Sequence, residues 1–267
     1  MSDSRYIPAD IKRRVRKECG FGCAICGMPF FDYDHIEEYS TVKEHTAENL
    51  ILLCPNHHRA KPFKLSKDRI IEARAKPYNL NKNLTSPFKL EPSRKLKTLF
   101  GSNMVEGFYP DGNNEHYALW INGESFFTIH SENSWLCVSF KLTDIKGNIL
   151  LLVENGEVKV STQSWDYEWV GSNIKIRAGK GLILLDLNLS DNQVEILRGC
   201  FLDSGYDGFI INDGALLTII EGQQRGVSIG SRAIANGFGG WGLLNNSKHP
   251  DIIKPNGFGF FRGHGVR

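Results

Sequence analysis

The sequence has no long apolar run and few cysteines, which argues against a membrane-spanning protein and against a disulfide-rich one. No apolar stretch approaches the roughly 20 residues that a helix needs to cross a bilayer, so we expect no membrane partner. The opening segment MSDSRYIPADIKRRVRK lacks the apolar core of a signal peptide, which favours a cytoplasmic protein. Six cysteines in 267 residues are too sparse for a disulfide scaffold, and a reducing compartment favours metal ligation by any that are closely spaced.

Charge is distributed unevenly along the chain, although the net value is only +2. Residues 1–95 hold 18 Lys/Arg against 12 Asp/Glu, a balance of +6, whereas residues 96–267 hold 14 against 18, a balance of −4. A polyanionic partner is therefore expected at the N-terminal part. The alternative is a chance scatter of solvated charges.

The hydrophobic periodicity and local composition of the sequence predict an α+β protein in three parts. Residues 1–77 combine a helix over 8–18 with short strands over 30–36 and 49–54, followed by helices that begin at Pro55 and Ser66. Residues 78–95, rich in Asn, Ser, Pro and Lys, predict a linker. Residues 96–267 show many short strands and turn signals without helical periodicity, which predicts a mainly antiparallel β domain, sandwich or barrel-like.

Four residues in the first part have the types and spacing of a structural zinc site. They form a C-x2-C … C-x2-H set made of Cys23, Cys26, Cys54 and His57. The 27 residues between the two pairs exceed the usual roughly 15–20, so an insert is expected there. The alternative is two unrelated pairs of buried thiols. Successive helix residues point about 100° apart, so His58 must face a partner other than this zinc.

A wider set of residues matches a known family in both order and spacing. The set is Cys23-x-x-Cys26, Asp34-His35-Ile36, Asn49-Leu50, Leu53-Cys54-x-x-His57-His58 and Lys61. Together these motifs resemble the HNH endonuclease family over roughly residues 10–62. The resemblance implies a zinc-stapled ββα-metal fold, in which two strands carry Asp-His and Asn and a helix carries the last histidine.

The resemblance also implies a role for each matching residue. His35 would be the general base, and Asn49 would brace the loop and orient His35. Asp34 and His58 would hold one divalent cation, Mg²⁺ or another hard or borderline metal. The implied activity is metal-dependent hydrolysis of DNA phosphodiesters, since a cation can offset the phosphate charge and histidine titrates near neutral pH.

Several other residues near these motifs have predicted roles. Glu37 and Glu38 replace the proline that often follows Asp-His; they would either disfavour DNA near the site or supply a further metal ligand. His45 is expected to support the loop. A basic cluster is predicted to hold the nucleic-acid backbone, its alternative being a solvated helical face. Its members are Arg59, Lys61, Lys64, Lys67 and Arg69.

The sequence says less about residues 96–267. We predict that this region senses a ligand, recruits a protein partner or forms a homodimer or higher oligomer. The oligomer is among these options because cutting two strands from one site per chain favours a dimer. Resemblance to bacterial HNH proteins with appended domains suggests restriction or anti-phage defence, and the substrate is left open between DNA and RNA. The alternative function is a catalytically inactive zinc-stapled nucleic-acid-binding or adaptor module. It is disfavoured because Asp34, His35 and His58 are all present.

Overall fold

A computed structural model describes most of the chain, which divides into two compact units. The units are Met1–Ser86 with Asn155–Val158, and Pro87–Glu154 with Lys159–Arg267. Within the predicted linker, 82–94 lies outside the described residues and 78–81 forms a short helix. The described residues are 6–62, 64–81, 95–108, 115–132, 135–161, 166–170, 173–190, 193–234, 239–253 and 259–262.

The N-terminal unit places a two-stranded sheet among short helices. Its elements are α1 (Ala9–Glu18), β1 (Asp32–His35), α2 (Tyr39–Val42), β2 (Leu50–Leu53), α3 (Pro55–Ala60), α4 (Lys67–Ala75) and α5 (Tyr78–Asn81). The succession β1, β2, α3 confirms the predicted strand–strand–helix order. The insert between the two zinc-ligand pairs is therefore a structured β1–α2–β2 segment. Among the described residues no helix is both long and apolar enough to cross a membrane.

The two strands of this sheet differ in burial, and this difference decides where the polar residues point. β1 and β2 pair antiparallel, with Asp32 opposite Leu53 and His35 opposite Leu50. Every β2 residue is buried, whereas every β1 residue is half-buried. The apolar strand therefore lies in the core and holds the polar strand at the edge of the solvent, where its side chains can act on a ligand.

Cys19 lies in the core beside the apolar face of α1, four residues after Val15. Both side chains are fully buried. Burial raises the pKa of the Cys19 thiol to about 11, so it stays protonated near neutral pH and behaves as a small apolar residue.

A half-buried arginine fixes the loop that leads into β2. The Arg74 side chain donates from Nε to Leu50 O at 2.8 Å and from one terminal nitrogen to Ala47 O at 3.0 Å, and it also pairs with Glu18. Hydrogen bonds to a charged group contribute about 1.5–3 kcal/mol each. The loop that carries Asn49 is therefore held to α4 and α1 by side-chain chemistry as well as by strand pairing.

The C-terminal unit is β-rich, and two sheets account for its described strands. The strands are β3 (Lys95–Phe100), β4 (Asn103–Phe108), β5 (Glu115–Ile121), β6 (Glu124–Glu132), β7 (Trp135–Thr143), β8 (Ile149–Glu154), β9 (Glu157–Ser161), β10 (Asp166–Val170), β11 (Asn173–Gly179), β12 (Leu182–Ser190), β13 (Gln193–Leu202), β14 (Gly208–Asn212), β15 (Ala215–Ile220), β16 (Gln223–Ser228), β17 (Arg232–Ile234), β18 (Gly239–Leu244) and β19 (Gly259–Arg262). The first sheet has the order β10-β11-β12-β13-β14-β15-β16, with β3 paired to β13 and β4, and β4 paired to β17; the second has the order β19-β18-β5-β6-β7-β8-β9. Most pairings are antiparallel, which confirms the predicted class.

Polar side chains connect the two sheets within this unit. Thr98 Oγ1 on β3 lies 2.5 Å from His116 Nε2 on β5, and both residues are buried. The Leu202 backbone N–H on β13 donates to Thr143 Oγ1 on β7 at 2.8 Å. Each contact satisfies a polar group that would otherwise be costly to bury. His116 therefore has a structural partner in the core.

Candidate metal centres and catalytic residues

The four predicted zinc ligands converge on one point. Their ligand atoms all lie within 4.8 Å of one another. His57 Nδ1 is 3.4 Å from Cys23 Sγ and 3.2 Å from Cys54 Sγ, while the sulfurs of Cys26 and Cys54 are 3.8 Å apart. Tetrahedral zinc with bonds of about 2.3 Å to sulfur and about 2.0–2.1 Å to nitrogen separates its ligands by about 3.5–3.8 Å. The residues present thus fit a zinc ion.

Local backbone structure aims each ligand pair at this point. The first pair lies on a tight turn in which Gly27 N–H donates to Cys23 O at 2.7 Å. Gly27 adopts φ +81°, and a Cβ there would come within 2.3 Å of Asn79 Oδ1, so only glycine suits the position. The second pair spans the start of α3, because Cys54 is the residue just before this helix and Pro55 is its first.

The thiols interact strongly with one another. Burial alone would raise the pKa of the Cys23 thiol, but hydrogen bonds from Cys26, Cys54 and His57 outweigh it and hold that pKa well below its ordinary value. The hydrogen bond with Cys23 raises the pKa of Cys26, and it raises the pKa of Cys54 to about 12. One thiolate is therefore stabilised even without metal, and a cation is needed before all three can ionise together.

Helix α3 directs His58 away from the zinc ligands and toward β1. His58 Nδ1 lies 3.2 Å from Asp32 Oδ2, and its Nε2 lies 3.9 Å from Asp34 Oδ1. The hydrogen bond with Asp32 raises the pKa of His58, and the charge of Asp34 raises it further against the opposing effect of burial. The adjacent imidazoles of His57 and His58 therefore belong to two separate clusters.

Sequence reasoning paired His58 with Asp34 but missed Asp32. The signal was present in the spacing, because residues two apart on a strand share a face and both carboxylates belong to the strand sequence DYDH. A carboxylate on Nδ1 fixes which histidine nitrogen is left for a metal, as is usual for histidine ligands. In this structure that nitrogen is Nε2, on the side of Asp34.

Asp34 occupies a half-buried position with a cationic neighbour. Its Oδ2 is buried and accepts no hydrogen bond, although Lys61 Nζ lies 3.1 Å from it as an ion pair. Two ligands with bonds of about 2.1 Å can be at most about 4.2 Å apart, so the 3.9 Å between His58 Nε2 and Asp34 Oδ1 fits a shared divalent ion. Asp34 Oδ1 also accepts from Lys61 Nζ at 3.2 Å. A carboxylate oxygen and an imidazole nitrogen are a suitable donor set for such an ion.

His35, the predicted general base, points to the other side of β1. Its Nε2 lies 3.0 Å from His45 Nδ1, and its ring also contacts Tyr39 with the centroids 5.3 Å apart. Tyr39 and His45 are stacked at 4.5 Å with an angle of 13° between their planes. Burial lowers the pKa of His35, and the charge of His45 lowers it further. His35 is therefore kept neutral near pH 7, the form that can accept a proton.

Asn49 spans the base of the loop between β1 and β2. Its Oδ1 accepts from the Glu37 N–H at 2.7 Å, and its Nδ2 donates to Glu37 O at 3.0 Å. The Ile36 N–H in turn donates to Asn49 O at 2.8 Å. These three bonds close the loop immediately after His35 and so restrict where its side chain can lie.

The predicted basic cluster divides between the site and the solvent. Lys61 is turned inward, since its Nζ contacts both Asp34 and the backbone carbonyl of His35. Lys67 pairs with Glu37, and Lys61 lies 3.6 Å from Glu38, so each of the two unusual acids faces a lysine. The remaining members, Arg59, Lys64 and Arg69, are exposed. Arg59 donates hydrogen bonds to Pro55 O and Asn56 Oδ1 of its own helix.

A second group of potential ligands in the C-terminal unit has a different character. Asp203, Asp207 and His249 come within ligand distance of one another. Asp207 is fully buried, and its Oδ2 accepts from Asn122 Nδ2 at 3.0 Å and from Asn245 Nδ2 at 2.9 Å. Protein donors thus satisfy the carboxylate, and the network ties together three turns.

Comparison with known proteins gives one match. No curated protein and no solved structure matches the chain. Residues 23–64, which contain the four-ligand cluster, Asp34, His35, Asn49 and His58, match the family model described as HNH endonuclease, and this stretch is therefore an HNH region.

Proposed function

We propose that the chain is a metal-dependent endonuclease that hydrolyses DNA phosphodiester bonds with its N-terminal unit. The observation that carries this proposal is the convergence of Asp34 and His58 from β1 and α3, 3.9 Å apart, on the strand that also carries His35. Two ligands that converge from separate elements, on a strand that also carries a histidine kept neutral, have the chemistry of a hydrolytic site. Families with an HNH region are generally endonucleases.

Each side chain would contribute in a way that its surroundings support. Asp34 and His58 would hold a divalent cation, Mg²⁺ or a similar ion, which when bound would neutralise the scissile phosphate and stabilise the leaving oxygen. His35 would take the proton of the attacking water. Asn49 would keep His35 in place by closing the loop. Asp32 would orient His58, and the zinc cluster would hold the start of α3 to the turn that carries Cys23 and Cys26.

The lysines would have two different tasks. Lys61 lies against Asp34 and the His35 carbonyl, so it would brace the site in the absence of substrate and add positive charge beside the phosphate. Arg59, Lys64 and Lys67 are exposed on or after α3 and would contact the nucleic-acid backbone. DNA is the proposed substrate, and cutting both strands from one site per chain favours a dimer.

Cleavage of a supercoiled plasmid tests this function. We expect the full chain to nick or linearise plasmid in Mg²⁺ or Mn²⁺ and to stop when a chelator is added. Asp34→Asn and His58→Ala should each lower the rate about 100-fold or more, since the first removes the negative charge of one ligand and the second removes the other ligand. Asp68→Asn, an exposed acid on α4, is the matched control and should cut normally.

The outcomes separate the proposal from its alternatives. Cutting that survives both chelator and the two ligand substitutions would refute it. Salt-sensitive DNA binding without any cutting would favour the inactive adaptor instead. Preferential cleavage of a matched RNA would change the substrate while keeping the chemistry.

The C-terminal unit is proposed to regulate or direct cutting. Its acidic balance argues against its being the main DNA-binding surface. Ligand sensing, partner recruitment or oligomerisation, with a role in restriction or anti-phage defence, stays a prediction. Comparing cutting rate, target preference and assembly state of the full chain before and after proteolytic removal of this unit tests it, and no difference in any of the three would count against it.

A further inference from the structure

The contact between His35 and His45 indicates a role for His45 in the proposed nuclease site, and this role rests on the proposed function. The imidazoles meet through one nitrogen each, His35 Nε2 and His45 Nδ1, at 3.0 Å. A single proton must lie between them if both rings are neutral, so the contact defines which ring donates. The second nitrogen of His35, Nδ1, takes no part in this bond.

Only one of the two arrangements leaves His35 competent as a base. If His45 donated, His35 would accept at Nε2 and carry its own proton on Nδ1, and neither nitrogen would offer a lone pair to water. If His35 donates from Nε2–H, its Nδ1 keeps a lone pair. His45 then accepts at Nδ1 and carries its proton on Nε2, so both rings share the same tautomer.

The fold brings His45 back to His35 by a defined route. Helix α2 (Tyr39–Val42) is a single turn, and Lys43 ends it in the left-handed region at φ +51°. This reversal returns the chain so that His45 stacks on Tyr39 at 4.5 Å, which fixes the plane of the His45 ring. Asn49 closes the same loop through Glu37, and the acceptor is thereby held in position from both sides.

We infer that His45 is a positioning residue for the general base: it accepts the Nε2–H of His35, and so holds the His35 ring in the orientation and tautomer in which Nδ1 is free to take a proton from water. His45 itself does not contact the reacting atoms. Asp32 does the corresponding task for His58, through the opposite ring nitrogen.

Two substitutions separate this role from mere packing. His45→Phe retains an aromatic ring to stack on Tyr39 but removes the acceptor. His45→Asn loses the stack, yet its side-chain oxygen can stand close to the position of Nδ1 and accept the same bond. We expect kcat for plasmid cleavage to fall about 10–100-fold in His45→Phe with little change in KM, and to be substantially recovered in His45→Asn.

A spectroscopic readout makes the test independent of catalysis. Two-bond ¹H–¹⁵N spectra of the histidine-labelled full chain, with the His35 signals assigned from a His35→Ala sample, report the His35 tautomer directly. We expect the Nε2–H tautomer in wild type and in His45→Asn, and a mixed or Nδ1–H population in His45→Phe.

Each result supports or overturns the inference. Unchanged kcat and an unchanged tautomer in His45→Phe would overturn it, as would an Nδ1–H tautomer in the wild type. Equal loss of kcat in both variants with the tautomer preserved would show that His45 only packs. A wild-type chain that cuts neither DNA nor RNA would refute the proposed function, while the tautomer measurement would still decide whether His45 sets the state of His35.

Discussion

His35→Ala should abolish most of the cleavage activity, lowering kcat by about 10²–10⁴-fold, the range that a positioned general base contributes. The expected loss is large because burial and His45 keep His35 neutral, and because Asn49 and Lys61 fix the backbone around it. Water would then have to lose its proton unaided. Metal binding should persist, since Asp34 and His58 remain.

The measurement is single-turnover plasmid cleavage in Mn²⁺, with Mn²⁺ affinity determined by electron paramagnetic resonance. His249→Ala is the control, because it removes a histidine from the separate Asp203–Asp207 network. An unaltered Mn²⁺ affinity with loss of cutting would assign His35 to the proton step. Cutting by His35→Ala at the wild-type rate would remove His35 from the catalytic role.

Loss of one zinc ligand should have the largest effect on stability. Structural zinc sites contribute apparent binding free energies of about 10–16 kcal/mol, which in a small unit is folding free energy. Cys54→Ala removes the ligand that links β2 to α3, where its sulfur lies 3.2 Å from His57 Nδ1. We expect this variant to lose its tightly bound zinc, and the thermal transition of its N-terminal unit to fall sharply or vanish.

Metal analysis and calorimetry of the full chain, purified without added zinc, test this expectation. Cys19→Ala is the matched control, since Cys19 is equally buried and free but lies outside the four-ligand cluster. It should retain one zinc per chain. Equal zinc content in the two variants would contradict the structural-zinc assignment. So would a wild-type protein that is as stable without zinc as with it.

The zinc cluster and the order of elements could be predicted from the sequence because both depend on local spacing. Two residues between ligands suffice to turn both side chains of a pair onto one ion, and Pro55 marks the start of α3. The rotation of about 100° per helix residue likewise predicts that His57 and His58 diverge. The fold class followed from the change from helical spacing to short alternating strands.

The finer contacts of the site depend on chain reversals that spacing does not encode. His45 meets His35 because a non-glycine residue, Lys43, adopts a left-handed conformation, and nothing in its side chain indicates this. Lys61 turns inward to Asp34, although its place in a run of basic residues favours the solvent. The position of Asp32 near His58 could have been predicted, because strand periodicity alone puts Asp32 on the same face as Asp34.

Anomalous diffraction from crystals grown with zinc and manganese tests most directly whether the adjacent imidazoles bind different ions. We predict a zinc peak bounded by three sulfurs and His57 Nδ1, and a manganese peak between Asp34 and His58 Nε2. A single ion contacted by both histidines, or a zinc peak with no manganese at His58, would contradict this account.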